Sequence, residues 1–458
     1  MKVGTGHLME NNMPRKTKII FITVFVLVGV IVLGFYFYSN KTKTDGTNTA
    51  VTDYLPFLGG STTDGQGSNN GGTNTDSTIP TTPLTPTDEP FTTGEVSRFT
   101  QITDYPVAGA VFFEDTRPLP ISEVSTALPG GEKPPEIKTP LKNTKTSVKP
   151  AVPKFEIVPS IRYVERITGH INQMYLDTKV VGKVSNGTIP TIHEALFDSS
   201  ASSVLYRYLG TDGNTINSFL ATLGSTQGEF LPANILDVSI SPDKTKFFYL
   251  TETQNGVVGT TRSFKDTKKT QVFISSLTEW LSQWVTNQNI YLTTKASYSV
   301  DGDLFSLNTS NSVLTKVFGG VKGLTTLANK DGSLVLYSSS IFGGPRLGVF
   351  DVKKHTTKEF NLYSLPEKCV WSPDAINVYC AIPSDTSGGE YPDSWYQGRV
   401  SFNDHFVKIN TVANEINTLA DSTYGTPVDA THMFLNKAED QLFFINKKDS
   451  TLWSLSLN

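Results

Sequence analysis

Residues 238–250 read VSISPDKTKFFYL, and residues 369–382 read CVWSPDAINVYCAI. Each is an apolar run, a polar Ser-Pro-Asp turn and a second apolar run. β-branched and aromatic residues fit a pleated, half-buried surface, whereas Pro and Asp interrupt a ladder and start a turn. Both stretches therefore predict two antiparallel strands joined by a short hairpin. Looser versions stand at 195–209 (ALFDSSASSVLYRYL), 324–340 (LTTLANKDGSLVLYSSS) and 431–446 (THMFLNKAEDQLFFIN).

Several of these units are followed by a third apolar strand: DLFSLN (303–308), LGVFDV (347–352), FVKINT (406–411) and TLWSLSL (451–457). The pattern returns at a spacing of roughly 40–50 residues, the length of one propeller blade. An all-β fold, a β-propeller, follows. Blades run near 190–224, 230–277, 278–318, 319–362, 363–419 and 420–457. Ile161–Ser185 supplies further strands without an inner one, and YPVAGAVFF (105–113) fits that place. Val96–Ile102 alternates and fits the missing outer strand of the last blade. Pairing the first and last elements closes the ring and removes the exposed edges of an open array. Seven blades are favoured, six or eight stay open, and a pair of β-sandwiches is the other architecture that strand spacing allows.

The Ser-Pro-Asp units resemble the repeats of TolB-like and WD40-like propellers, from about residue 155 to the end of the chain. The motifs are short and degenerate. The resemblance implies the propeller fold and assigns no activity.

Upstream, Ile19–Tyr38 reads IIFITVFVLVGVIVLGFYFY without a charge or a Pro. As a helix it spans about 30 Å, the thickness of a bilayer core. Arg15, Lys16 and Lys18 flank its start, while Lys41 and Lys43 follow more sparsely beside Asp45. The positive-inside rule places residues 1–18 in the cytoplasm and the bulk of the chain outside a cell membrane. A cleaved signal peptide is the competing reading, but its apolar region is shorter and ends on small residues. Residues 39–94 are rich in Thr, Gly, Ser and Pro and predict a disordered stalk with a reach of about 40–45 Å. The propeller domain then covers 95–458, with a Pro/Lys-rich insertion at 117–154. That insertion reads as a solvated loop, or as a basic arm able to dock on an anionic wall polymer.

Of the 458 residues 38% are hydrophobic and 18% charged, and the net charge of −4 gives no basis for nucleic-acid binding. The two cysteines, Cys369 and Cys380, flank the turn 372–374. If Trp371 pairs with Val378, the same register sets the cysteines opposite each other, within disulfide range. A structural disulfide is favoured over two buried thiols in an extracytoplasmic domain. The longest break in the repeat, PSDTSGGEYPDSWYQG (383–398), carries Tyr391, Asp393, Trp395 and Tyr396. Rings beside a carboxylate suit a carbohydrate or peptide ligand; alternatively they fold back over their own blade. His170, His193 beside Glu194, His355, His405 and His432 are scattered without metal-site spacing, and Asp301-Gly302-Asp303 reads as a hairpin turn. No catalytic residue, metal or cofactor is assigned. The expected function is a binding or scaffolding module for an extracytoplasmic protein, peptide or polysaccharide. The alternative is a hydrolase or lyase of carbohydrate or peptide working at the propeller channel.

Overall fold

Turn chemistry sets the architecture. In Ser241-Pro242-Asp243-Lys244 the Ser241 hydroxyl donates to Asp243 (2.6 Å) and accepts from the Lys246 amide (2.9 Å). Asp374 likewise accepts the amides of Ile376 (2.7 Å) and Asn377 (2.8 Å). The fourth turn position is left-handed in five repeats: Ala201, Lys244, Gly332, Ala375 and Glu439 all have φ between 51° and 72°. A tight turn closed by one left-handed residue is a standard way to join two twisted strands.

A computed structural model describes residues 98–119, 154–225, 228–341, 344–421 and 427–458. These residues form seven four-stranded antiparallel sheets, each a blade of a β-propeller. The inner strands, in blade order, are Val107–Pro118, Ile192–Phe197, Asp237–Ile240, Trp280–Trp284, Thr325–Ala328, Cys369–Trp371 and Ala430–Leu435. Six blades are built from consecutive strands. The seventh takes its outer strand, Phe99–Gln101, from the beginning of the domain, which pairs with Leu452–Ser456. This is the ring closure that the alternation of 96–102 predicted. Phe99 packs on Phe406 and Phe444 at ring distances of 5.5 and 6.4 Å.

The hydrophobic core is distributed over the seams between blades. Phe248 and Leu250 of blade 3, for example, pack with Trp280, Trp284 and Leu292 of blade 4. Gly109 marks a close approach between blades 1 and 2: a Cβ there would meet the Ala195 carbonyl oxygen at 2.0 Å, so no larger residue fits. Alternation along the strands supplies the two apolar faces each seam needs.

Three local expectations change. The ladder of blade 1 continues through Arg117 and Pro118, so the insertion begins after the hairpin arm, between Leu119 and Lys154. Asp301-Gly302-Asp303 is strand, not turn, because Asp301 and Gly302 pair with Lys322 and Val321 and the turn falls earlier. The outer strand of blade 2, Gly228–Phe230, lies beyond the boundary the repeat spacing gave. Among the described residues no helix is long and apolar enough to cross a membrane. The span Ile19–Tyr38, the stalk at 39–94 and most of 117–154 lie outside the described residues.

Candidate functional site

The inner strands converge on the axial channel, and a band of polar side chains rings it. Glu194, Asp237, Ser282, Thr325, Lys368 and His432 occupy one place in their blades. Each stands four positions ahead of the residue that opens the hairpin turn, 194 against 198 and 237 against 241, through to 432 against 436.

Most of this band, with its neighbours, joins one blade to the next. Every seam carries at least one side-chain hydrogen bond. Arg166 donates to Ser450 (2.9 Å) across blades 1 and 7, and Arg162 to the Ala201 carbonyl (2.6 Å) across blades 1 and 2. Arg207 bridges Glu194 (2.6 Å) to the Ile235 carbonyl of blade 3 (2.6 Å). Asp237 accepts the amide and hydroxyl of Ser282 in blade 4, both at 2.6 Å. Gln283 exchanges two bonds with Ala328 of blade 5 (2.9 and 2.8 Å), and Trp371 donates to the Leu327 carbonyl (2.9 Å). Lys368 closes the last seam on Asp429 (2.6 Å) and the Ala430 carbonyl (3.0 Å).

Lys368 is the centre of a buried charge cluster. Lys368, Asp404 and Asp429 are each 0% exposed, with Lys368 Nζ 2.8 Å from Asp404. Burial pushes the Asp404 carboxyl up to about 6, against the opposing pull of Lys368. Asp429 also accepts from the Trp395 indole (3.1 Å to both oxygens), the Ser401 hydroxyl (3.3 Å) and the Phe402 amide (3.0 Å).

These bonds hold down a strap, residues 384–403, that carries one helical turn, Asp393–Tyr396. Asp393 accepts the Tyr298 amide of blade 4 (2.6 Å), and the Tyr391 carbonyl accepts from Ser340 of blade 5. Tyr396 donates to Glu367 of blade 6, and Lys447 of blade 7 donates to the Trp395 carbonyl (2.8 Å). Four blades thus seat one loop. Gly323, at φ 60°, is part of the seat: a Cβ there would clash with Ser340 and lie 2.9 Å from the Tyr391 carbonyl.

The strap carries Tyr391, Asp393, Trp395 and Tyr396. Tyr391 and Trp395 are 1% and 4% exposed, so neither offers a free ring face to a ligand. Lys447 Nζ lies 4.7 Å from the centroid of the Trp395 ring, and Lys368 Nζ 5.5 Å from it. The rings are packed among residues of blades 6 and 7, not over their own blade alone. Cys369 and Cys380 stand opposite each other, with Trp371 on Val378, and are joined in a disulfide with a Cα separation of 4.1 Å.

The other half of the channel, between blades 7 and 3, collects groups that sequence reasoning left scattered. Burial would raise the Glu194 carboxyl, but the Arg207 guanidinium and nearby histidines hold it below its usual range. Burial, with Arg207 nearby, pushes His193 down to about 4. Asp237 is pushed up to about 6 by burial, against its Ser282 bonds. The shared inner-strand position was the signal that could have gathered these residues.

Asp237 gives a testable pH dependence. A carboxyl raised in the folded state favours folding at low pH and loses that contribution as pH climbs through its folded value. Asp237→Asn keeps an acceptor for Ser282 and cannot ionise. Its stability relative to the native chain is therefore expected to improve between about pH 4 and pH 7. Urea unfolding at both pH values measures this; a difference independent of pH would contradict it.

No protein-family profile matches the chain, and no curated protein matches it. Solved structures do. An oligogalacturonate lyase in complex with manganese aligns over 65% of this chain and 86% of its own, at 12% identity and TM-score 0.47. An oligogalacturonate lyase from Vibrio parahaemolyticus aligns over 77% and 99%, at 9% and 0.45. TolB from Acinetobacter baumannii aligns over 55% and 60%, at 12% and 0.38. All are propellers, and at this identity the likeness is one of fold alone.

Proposed function

We propose that the chain is a membrane-tethered, extracytoplasmic β-propeller that acts as a binding or scaffolding module for a protein, peptide or cell-envelope polymer. The observation that supports this most is the set of side-chain ties at all seven seams. They engage Glu194, Asp237 and Asp429, carboxylates on which catalysis would draw, in holding the ring rigid. A preorganised scaffold loses little conformational freedom when it binds, so loop contacts convert more fully into affinity. The apolar run Ile19–Tyr38 supplies the tether and residues 39–94 the spacing from the bilayer.

A second reading, a hydrolase or lyase working in the channel, draws on the cluster of His193, Glu194, Asp237 and His432. Residues 95–458, immobilised and exposed to a solubilised envelope fraction and to purified wall polymer, separate the two. The binding reading expects retention of a defined partner that survives Glu194→Gln. Retention of neither partner nor polymer, with chain-dependent cleavage of an envelope polymer, would favour the enzyme. The tether is tested by alkaline washing of membranes: the full chain is expected in the pellet, and a chain lacking 19–38 in the supernatant.

A further inference from the structure

The inner strand of blade 7 breaks register between Thr431 and Phe434, so two residues oppose one on the neighbouring strand. His432 sits in that bulge at φ 49°, a conformation uncommon for any residue but Gly. Bulges re-aim side chains, and backbone of this kind collects where a side chain has a task. His432 lines a cavity of about 270 Å³ in the channel, walled by Ala110, Val111 and Phe112 of blade 1 and by Met433, Phe434 and Leu435 of blade 7.

One residue reaches this cavity from another blade. Lys244, in the Ser-Pro-Asp-Lys turn of blade 3, contributes to the lining. Its backbone is pinned by the Ser199 amide, which donates to the Lys244 carbonyl (3.0 Å). Among the described residues its ammonium makes no hydrogen bond or ion pair. The side chain is exposed to solvent at the mouth of the cavity. The carboxylate acting on His432, Glu194, is held by Arg207 at 2.6 Å. The cavity thus has apolar walls and two solvent-facing basic side chains on its lining, Lys244 and His432.

We propose that this cavity binds a small monocarboxylate with an apolar body. Lys244 Nζ and His432 hold the carboxylate, and Val111, Phe112 and Phe434 cover the body. The Thr431 hydroxyl lies 3.3 Å from His432 Nδ1; donating there, it leaves the ring proton on Nε2 for the ligand. The volume limits the ligand to the small end of the range that protein pockets accept. The inference is independent of the binding-module reading, which concerns the outer loops.

Titration of the full-length chain with hexanoate and with benzoate, followed by calorimetry, tests it. Both acids are expected to bind, and hexanol and benzyl alcohol to bind about tenfold or more weakly, the worth of one charge-assisted bond. Lys244→Met is expected to weaken the acids about tenfold, and Lys244→Arg only a few-fold. His432→Asn, which tolerates the left-handed backbone, should weaken them several-fold. The unfolding midpoint of Lys244→Met should match that of the native chain, since the side chain ties nothing in the ring. Failure of both acids to bind, equal binding of the alcohols, or affinity untouched by Lys244→Met would each overturn the proposal. Preference for a tripeptide with a free C-terminus over either acid would move the source to a chain end and overturn the small-acid assignment.

Discussion

Lys368→Met is expected to lower stability by about 3–5 kcal/mol near pH 7.5, the usual result of removing one member of a buried ion pair. The substitution keeps the length of the side chain and deletes only its charge and donors. Asp404 and Asp429 would then face each other in the interior without the cation that holds both. The cost is expected to shrink toward pH 5, because Asp404, already raised to about 6, can take up a proton. Urea unfolding at the two pH values measures both effects. Adding Asp404→Asn and Asp429→Asn to Lys368→Met should recover part of the loss, since the variant then buries no unpaired charge. A loss below about 1 kcal/mol at pH 7.5, the scale of an exposed pair, would contradict the buried cluster.

Removal of the closing strand is expected to have a comparable effect. A chain starting at residue 103 loses Phe99 from its place between Phe406 and Phe444. It also loses the Ile102 amide bond to Leu452 (2.8 Å) and the Arg98 bonds to the carbonyls of Leu419 and Asn458. One partly buried aromatic side chain and a few hydrogen bonds amount to roughly 2–5 kcal/mol. The truncation also leaves Leu452–Ser456 as an open apolar edge, a template for association between chains. The expected result is a lower unfolding midpoint together with concentration-dependent light scattering, against a chain starting at residue 95. Phe99→Ala in the longer chain should give a smaller loss without the scattering. Equal stability of the two chain lengths would show that blade 7 does not need this strand.

The blade architecture was legible because its signal is local. Ser241-Pro242-Asp243 and Ser372-Pro373-Asp374 form their turns with side-chain bonds that reach only a few residues along the chain. The closing strand was legible for another reason: an incomplete last blade and an unused alternating segment at 96–102 leave few ways to avoid an open edge. The direction of Trp395 was not legible. Its ring is turned inward by Asp429, Lys368 and Lys447, which lie in other loops and meet it only once the ring has closed. His432 was hidden in the same way, because its role follows from a bulge that no residue in 431–434 announces. Asp301 was misread because Asp-Gly is a strong turn signal, yet here pairing with Lys322 carries both residues into a strand.

The claim on which the rest depends is a seven-bladed ring closed by the chain's own early strand. Amide hydrogen exchange of the full-length chain, resolved by peptide, tests it most directly. The account predicts that residues 98–102 are protected nearly as strongly as the blade 7 strand Gln441–Asn446, because releasing them opens the ring. Exchange of residues 98–102 at the rate of an unstructured peptide, while Val107–Pro118 and Gln441–Asn446 stay protected, would contradict it.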